Sequence, residues 1–170
     1  PPPLAITRID LKSGFENGRG WLSASVEVDQ ATMPPVLCCD DRRLALQPRA
    51  EGGFGGQMTL DGVRPWWPHT HGDQPLYPVT LRIGEIEIDL GRTGFRDIAV
   101  DRGADGEGFQ LVINGAPVFC RGAGWTSADP IRLPGGRADY APWLQLARDG
   151  GMNMLRMSGT GAYESPAFYE

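Results

Sequence analysis

One long cation interrupts a mostly apolar run: Met152-Asn153-Met154-Leu155-Arg156-Met157 leads into Ser158-Gly159-Thr160-Gly161. A guanidinium presents a planar fork of donors suited to gripping a carboxylate, so Arg156 reads as a working cation at the wet end of a buried strand. Buried without a partner it would be costly. The Ser158 to Gly161 stretch matches neither a nucleophile elbow nor a phosphate-binding loop, because the spacing is wrong and no helix-borne lysine follows. His69-x-His71 with nearby Asp73 lacks a third ligand of comparable quality, which leaves loop packing as its explanation. Asp101, Asp105 and Glu107 do not follow the spacing of a calcium loop. No metal and no organic cofactor is expected.

The elements that must position Arg156 lie upstream. A helix is expected from Asp139 to Arg148, with Asp139 as its cap, Tyr140, Trp143, Leu144 and Ala147 at i, i+3, i+4 and i+7, and Gly150-Gly151 as its stop. Pro142 is tolerable in the first turn. Before it, Phe109 to Ile113, Asn114-Gly115 and Pro117 to Cys120 predict a hairpin with a type I′ turn. A strand at about Val118 to Gly122, the helix and a strand at Met152 to Met157 then make a right-handed βαβ unit with parallel strands. One such unit cannot cover both of its own faces, and a full barrel takes about 250 residues. Residues 101–170 are therefore expected to be the truncated start of a (β/α) barrel, whose uncovered strand edges and apolar helix side from Tyr140 to Ala147 predict self-association or local disorder after about Gly122.

The first hundred residues are of another kind. Gly 24 and Pro 15 without a fixed period, in 170 residues that are 41% hydrophobic, fit a turn-rich β protein with a core. Short β-like runs at Ile6 to Leu11, Trp21 to Val28, Val36 to Cys39, Leu44 to Leu46, Phe54 to Leu60, Tyr77 to Ile83, Glu85 to Leu90 and Gly94 to Val100 predict an immunoglobulin-like β-sandwich over residues 1–100. Ser13-Gly14 and Asn17-Gly18 together suggest the first hairpin connection. The stretch from Arg64 to Tyr77, with three prolines and three large aromatics, is expected to be a packed loop closing one end of the sandwich. Net charge of -5 argues against nucleic acid and anionic membranes as partners, and no apolar run approaches the roughly 20 residues of a spanning helix. Cys38, Cys39 and Cys120 do not form a disulfide framework; free thiols favour a reducing cytoplasm, with a periplasmic or secreted parent as the alternatives. With no initiator Met and a Pro1-Pro2-Pro3 start, the chain is expected to be cut from a longer one.

Six motifs fall in one order: Trp66-Trp67-Pro68, Gly72-x-Gln74-Pro75-Leu76-Tyr77, Thr93-Gly94-Phe95-Arg96, Asn114-Gly115-x-Pro117-Val118-Phe119, Arg121-Gly122-Ala123-Gly124-Trp125 and Asn153-Met154-Leu155-Arg156. In that order they resemble the family-two glycoside hydrolases, and the β-mannosidase-like branch most closely, over about residues 64–170. The resemblance implies a parent enzyme that hydrolyses terminal β-linked sugars with retention, a carbohydrate as its partner, and Arg156 beside the catalytic nucleophile. It places Trp125 either in the core under the barrel mouth or in the sugar subsite, and Ser158 and Gly159 on the substrate side. Retention needs two carboxyl groups about 5 Å apart. The family draws both from later strands, so no catalytic residue is expected within these residues and the fragment alone is expected to be inactive. Two positions depart from the branch: Ser158 follows Met157 where a tryptophan and a glycine run are common, and Gly124 precedes Trp125 where an asparagine often stands. The alternative is a non-catalytic β-sandwich module that binds carbohydrate or protein.

Overall fold

The computed structural model describes residues 5–29, 33–132, 134–159 and 161–169. The chain is mostly β and divides into two compact units, one of residues 1–67, 72–99 and 113–115 and one of residues 68–71, 100–112 and 116–170.

In the first unit β1 (Ala5–Glu16), β2 (Arg19–Asp29), β3 (Val36–Cys39), β4 (Arg42–Ala45), β5 (Gln47–Pro48), β6 (Phe54–Leu60), β7 (Tyr77–Ile83) and β8 (Ile86–Thr93) form two four-stranded sheets, ordered β1-β2-β6-β5 and β4-β3-β7-β8. All the neighbouring pairs are antiparallel. Strand alternation puts every second side chain on the inner face, and the buried set follows it: Leu22, Ala24 and Val26 of β2 and Met58 and Leu60 of β6 meet Leu37 and Cys39 of β3 and Val79, Leu81 and Ile83 of β7. This is the expected immunoglobulin-like sandwich.

Its first hairpin differs in one respect from the sequence reading. β1 runs on through Ser13-Gly14, and only Asn17-Gly18 turns, both with positive φ. Gly14 sits opposite Trp21 in the ladder, and the indole occupies the space a Cβ there would need. A glycine that looked like a turn signal is therefore a strand residue that admits a ring.

The aromatic loop packs as expected. Trp66 N–H donates to Phe95 O at 2.8 Å, Trp67 N–H donates to Asp73 O at 2.9 Å, Arg64 N–H donates to the Tyr77 hydroxyl, and the Arg96 guanidinium lies 4.7 Å from the Trp66 ring centre. Half-burial pulls the Arg96 pKa below the usual arginine value. Gly94 and Phe95, read as part of a strand, lie outside one; β9 starts later, at Ile98–Asp101.

β9, β10 (Gln110–Ile113) and β11 (Ala116–Val118) form a three-stranded sheet ordered β11-β10-β9. Asn114 and Gly115 both have positive φ, as the type I′ turn between β10 and β11 requires. The second unit continues with β12 (Gly122–Trp125), α1 (Arg137–Asp149), β13 (Met154–Met157) and the single turn α2 (Pro166–Tyr169). The strand expected at Val118 to Gly122 is thus displaced: the hairpin arm ends at Val118, and the strand that enters the βαβ unit begins at Gly122. The helix cap also moves. Gly136 is the N-cap and Asp139 is the third helical residue, its carboxylate reaching back to accept from Gly136 N–H at 2.8 Å. On α1, Tyr140 is buried and Leu144 and Ala147 are partly covered, whereas Trp143 is 53% exposed.

Candidate functional site

The candidate site is built on two parallel strands of the second unit. β12 and β13 pair as Gly122 with Met154, Ala123 with Leu155, Gly124 with Arg156 and Trp125 with Met157. The register is pinned at their N-terminal ends by one amide. Asn153 accepts from Arg121 N–H at 2.9 Å through Oδ1, while its Nδ2 donates to Phe119 O at 3.1 Å and to Thr70 Oγ1 at 3.0 Å. Its own N–H returns a bond to Arg121 O at 2.8 Å. Gly122 is a glycine because a Cβ there would run into the Met154 carbonyl. Nearby, His69 Nε2–H donates to Met152 O at 2.7 Å, and His71 Nδ1 bonds the Thr70 hydroxyl at 2.8 Å. The two histidines thus serve loop packing, and no group of three metal-ligating side chains occurs among the described residues.

Arg156 and Trp125 stand at or next to the C-terminal ends of these strands, the edge at which barrel enzymes gather their chemistry. Arg156 is exposed and carries no ion pair among the described residues. Ser158 and Gly159 follow at once and are also exposed; Thr160 lies outside the described residues.

Trp125 is fixed by a residue the sequence reading missed. Glu164 is 6% exposed, the one buried charged side chain among the described residues. Its Oε1 accepts from Trp125 Nε1–H at 2.9 Å and its Oε2 accepts from the Tyr140 hydroxyl at 2.7 Å. The indole bond holds the Glu164 carboxyl below the usual carboxylate range; burial opposes this and the Tyr140 bond adds to it. Phe168 of α2 closes the cluster, 4.9 Å from the Trp125 ring and 5.3 Å, edge-on, from Tyr140. Ser165 Oγ–H donates to Gly135 O at 2.7 Å, and Gly135 N–H donates to the Tyr140 hydroxyl, also at 2.7 Å. A signal for Glu164 existed: a tyrosine on the buried face of a helix and a tryptophan at a strand end both need partners for their polar tips. Both oxygens are held by neutral donors and the acidity is raised, so Glu164 is poorly placed to serve as a proton donor.

No family model matches the chain. By sequence it is 36% identical over 96% of its length to β-mannosidase B of Aspergillus fumigatus, and 34% identical over 71% of its length to β-mannosidase B of Aspergillus niger. It is a relative of the β-mannosidase-like family-two glycoside hydrolases. The match covers 21% of the A. fumigatus protein and 15% of the A. niger one, so the chain spans about a fifth or less of the length of these relatives. The fold recurs in the crystal structure of β-D-mannosidase from Dictyoglomus thermophilum, with a TM-score of 0.74 at 24% identity over 98% of this chain and 23% of that one. It recurs also in Ruminococcus gnavus β-glucuronidase, with a TM-score of 0.70 at 14% identity over 99% of this chain and 26% of that one.

One architecture thus serves enzymes named for different sugars, and the family-two scaffold does not by itself select among them. Two clefts among the described residues, of about 770 and 760 Å³, are lined by residues of the sandwich and by none of those at the β12 and β13 ends.

Proposed function

We propose that the chain is the immunoglobulin-like domain, residues 1–100, and the opening of the catalytic barrel, residues 101–170, of a retaining glycoside hydrolase of β-mannosidase type. The parent enzyme hydrolyses terminal β-linked sugars of oligosaccharides or glycoconjugates. The observation that carries this reading is the continuous likeness to β-mannosidase B through both units, 36% identical over 96% of the chain. The pair of β12 and β13 supplies one wall of the site. Arg156 sits where its fork can orient the carboxylate nucleophile and favour its ionised form, and Trp125 faces the substrate with Ser158 and Gly159.

The carboxylate pair comes from outside these 170 residues. Glu164, its oxygens engaged by Trp125 and Tyr140, is not a member of it. The test is to express the complete reading frame, assay it on p-nitrophenyl β-mannoside and β-glucuronide, and follow the anomer first released by NMR. Hydrolysis with β-anomer released first is expected. A folded complete protein that cleaves no β-glycoside, or one that inverts, would sink the proposal.

A further inference from the structure

We propose that Glu164 is a positioning residue that locks Trp125 as a stacking-only wall for the apolar face of a pyranose ring. The inference rests on the reading above for the identity of the ligand, and on the geometry of the second unit for everything else. An indole at a strand end can meet a sugar in two ways, by its face and by its N–H. Here the N–H is spent: Nε1 donates to Glu164 Oε1 at 2.9 Å, and that oxygen belongs to a buried carboxylate. Exchanging this charge-assisted bond for one to a neutral sugar hydroxyl would be unfavourable, so the face of the ring remains the available contact. Phe168 packs at 4.9 Å from the ring, while Trp125 as a whole stays partly exposed.

The same carboxylate fixes the ring against the helix that follows β12. Its second oxygen accepts from Tyr140 of α1 at 2.7 Å, so the orientation of the indole is referred to a buried side chain of a regular element rather than left to a loop. Glu164 therefore acts through Trp125 and not on the sugar. In an aromatic wall held this way, recognition depends on ring orientation, and a swivel of the indole loses the stacking contact while leaving the reacting atoms untouched.

The experiment has two arms. In the first, the indole N–H proton of Trp125 is followed by NMR hydrogen exchange in this chain and in E164Q. Gln keeps an acceptor oxygen and nearly the same volume, so slow exchange is expected in both; rapid exchange in the unsubstituted chain would overturn the bond itself. In the second, the complete enzyme is assayed as wild type, E164Q, E164L, W125F and the double variant E164L/W125F. E164L should raise KM about five- to tenfold with little change in kcat, the scale of one lost stacking contact. E164Q should stay close to wild type, and E164L should add nothing once Trp125 is phenylalanine. Unchanged KM in W125F, or an equal further loss from E164L in the W125F background, would overturn the positioning role. Should E164L not fold, W125A decides instead, because an unchanged KM once the aromatic ring is removed refutes the stacking wall. A complete enzyme that cleaves no β-glycoside would defeat the proposed function, and the exchange arm would still decide whether Glu164 holds Trp125.

Discussion

The two units are held together by different means. The sandwich seals an apolar core between two sheets, where Leu37, Leu81, Val26 and Phe95 are wholly or almost wholly buried. In the second unit the parallel pair keeps Arg156 and Met154 exposed, the helix leaves Leu146 66% exposed, and the most buried charged group is a carboxylate gripped by two named donors. Non-directional burial tolerates small rearrangements, whereas a few directional bonds fix orientation and fail one at a time.

Substitutions should separate these modes. The largest effect is expected from Phe95→Ala, which removes a fully buried ring that packs 5.3 Å from Tyr77: a loss of about 3–5 kcal/mol, read as a lower denaturant midpoint for the sandwich signal. Glu164→Ala should cost about 1–3 kcal/mol for each donor it strands, and the loss should be confined to amides of the second unit when followed by hydrogen exchange. An equal loss of protection in the sandwich would erase the contrast between the units. Asn153→Ala should cost about 1–2 kcal/mol, because Arg121 N–H and Phe119 O lose the amide they share; faster exchange at Arg121 is the readout.

The pH response should differ in sign between the units. Glu164 titrates lower when folded than when unfolded, so in the acid range the unfolded chain binds more protons. The stability it contributes is complete above the ordinary carboxylate value of about 4.3 and is lost as pH falls through its lowered folded value. Cys39 behaves oppositely: burial, helped by the charge of Asp40, pushes its thiol up to about 11, so the sandwich loses stability as pH rises from about 9 toward that value. Acid should therefore loosen the second unit and alkali the first, as resolved by exchange at the two extremes. The smallest change should come from Arg64→Ala, whose pair with Asp73 is 67% and 81% exposed: no more than about 0.5 kcal/mol by thermal melt.

How far the sequence could be read follows the same division. Alternation in Trp21 to Val28 and Tyr77 to Ile83 exposes a sandwich because burial repeats every second residue, and the Asn114-Gly115 turn is written in residue types that accept its dihedrals readily. The sequence alone puts the entry strand a few residues early, since Val118 to Cys120 is more β-like than Gly122 to Trp125; pairing with β13, a non-local fact, decides where β12 lies. Glu164 escaped notice because a single acidic residue between Tyr163 and Ser165 resembles a solvated loop until the chain brings Trp125 and Tyr140 to it.

The Asn17-Gly18 turn has a consequence in time. Its two residues close a ladder that zips from Glu16 opposite Arg19 outward to Ala5 opposite Asp29, each pair bringing the next within reach. Hairpins of this kind form in about 1–10 μs, while the alignment of Gly122 with Met154 must wait for α1 and its flanking loops to be spanned. During refolding, amides of β1 and β2 should gain protection in pulsed exchange before those of β12 and β13.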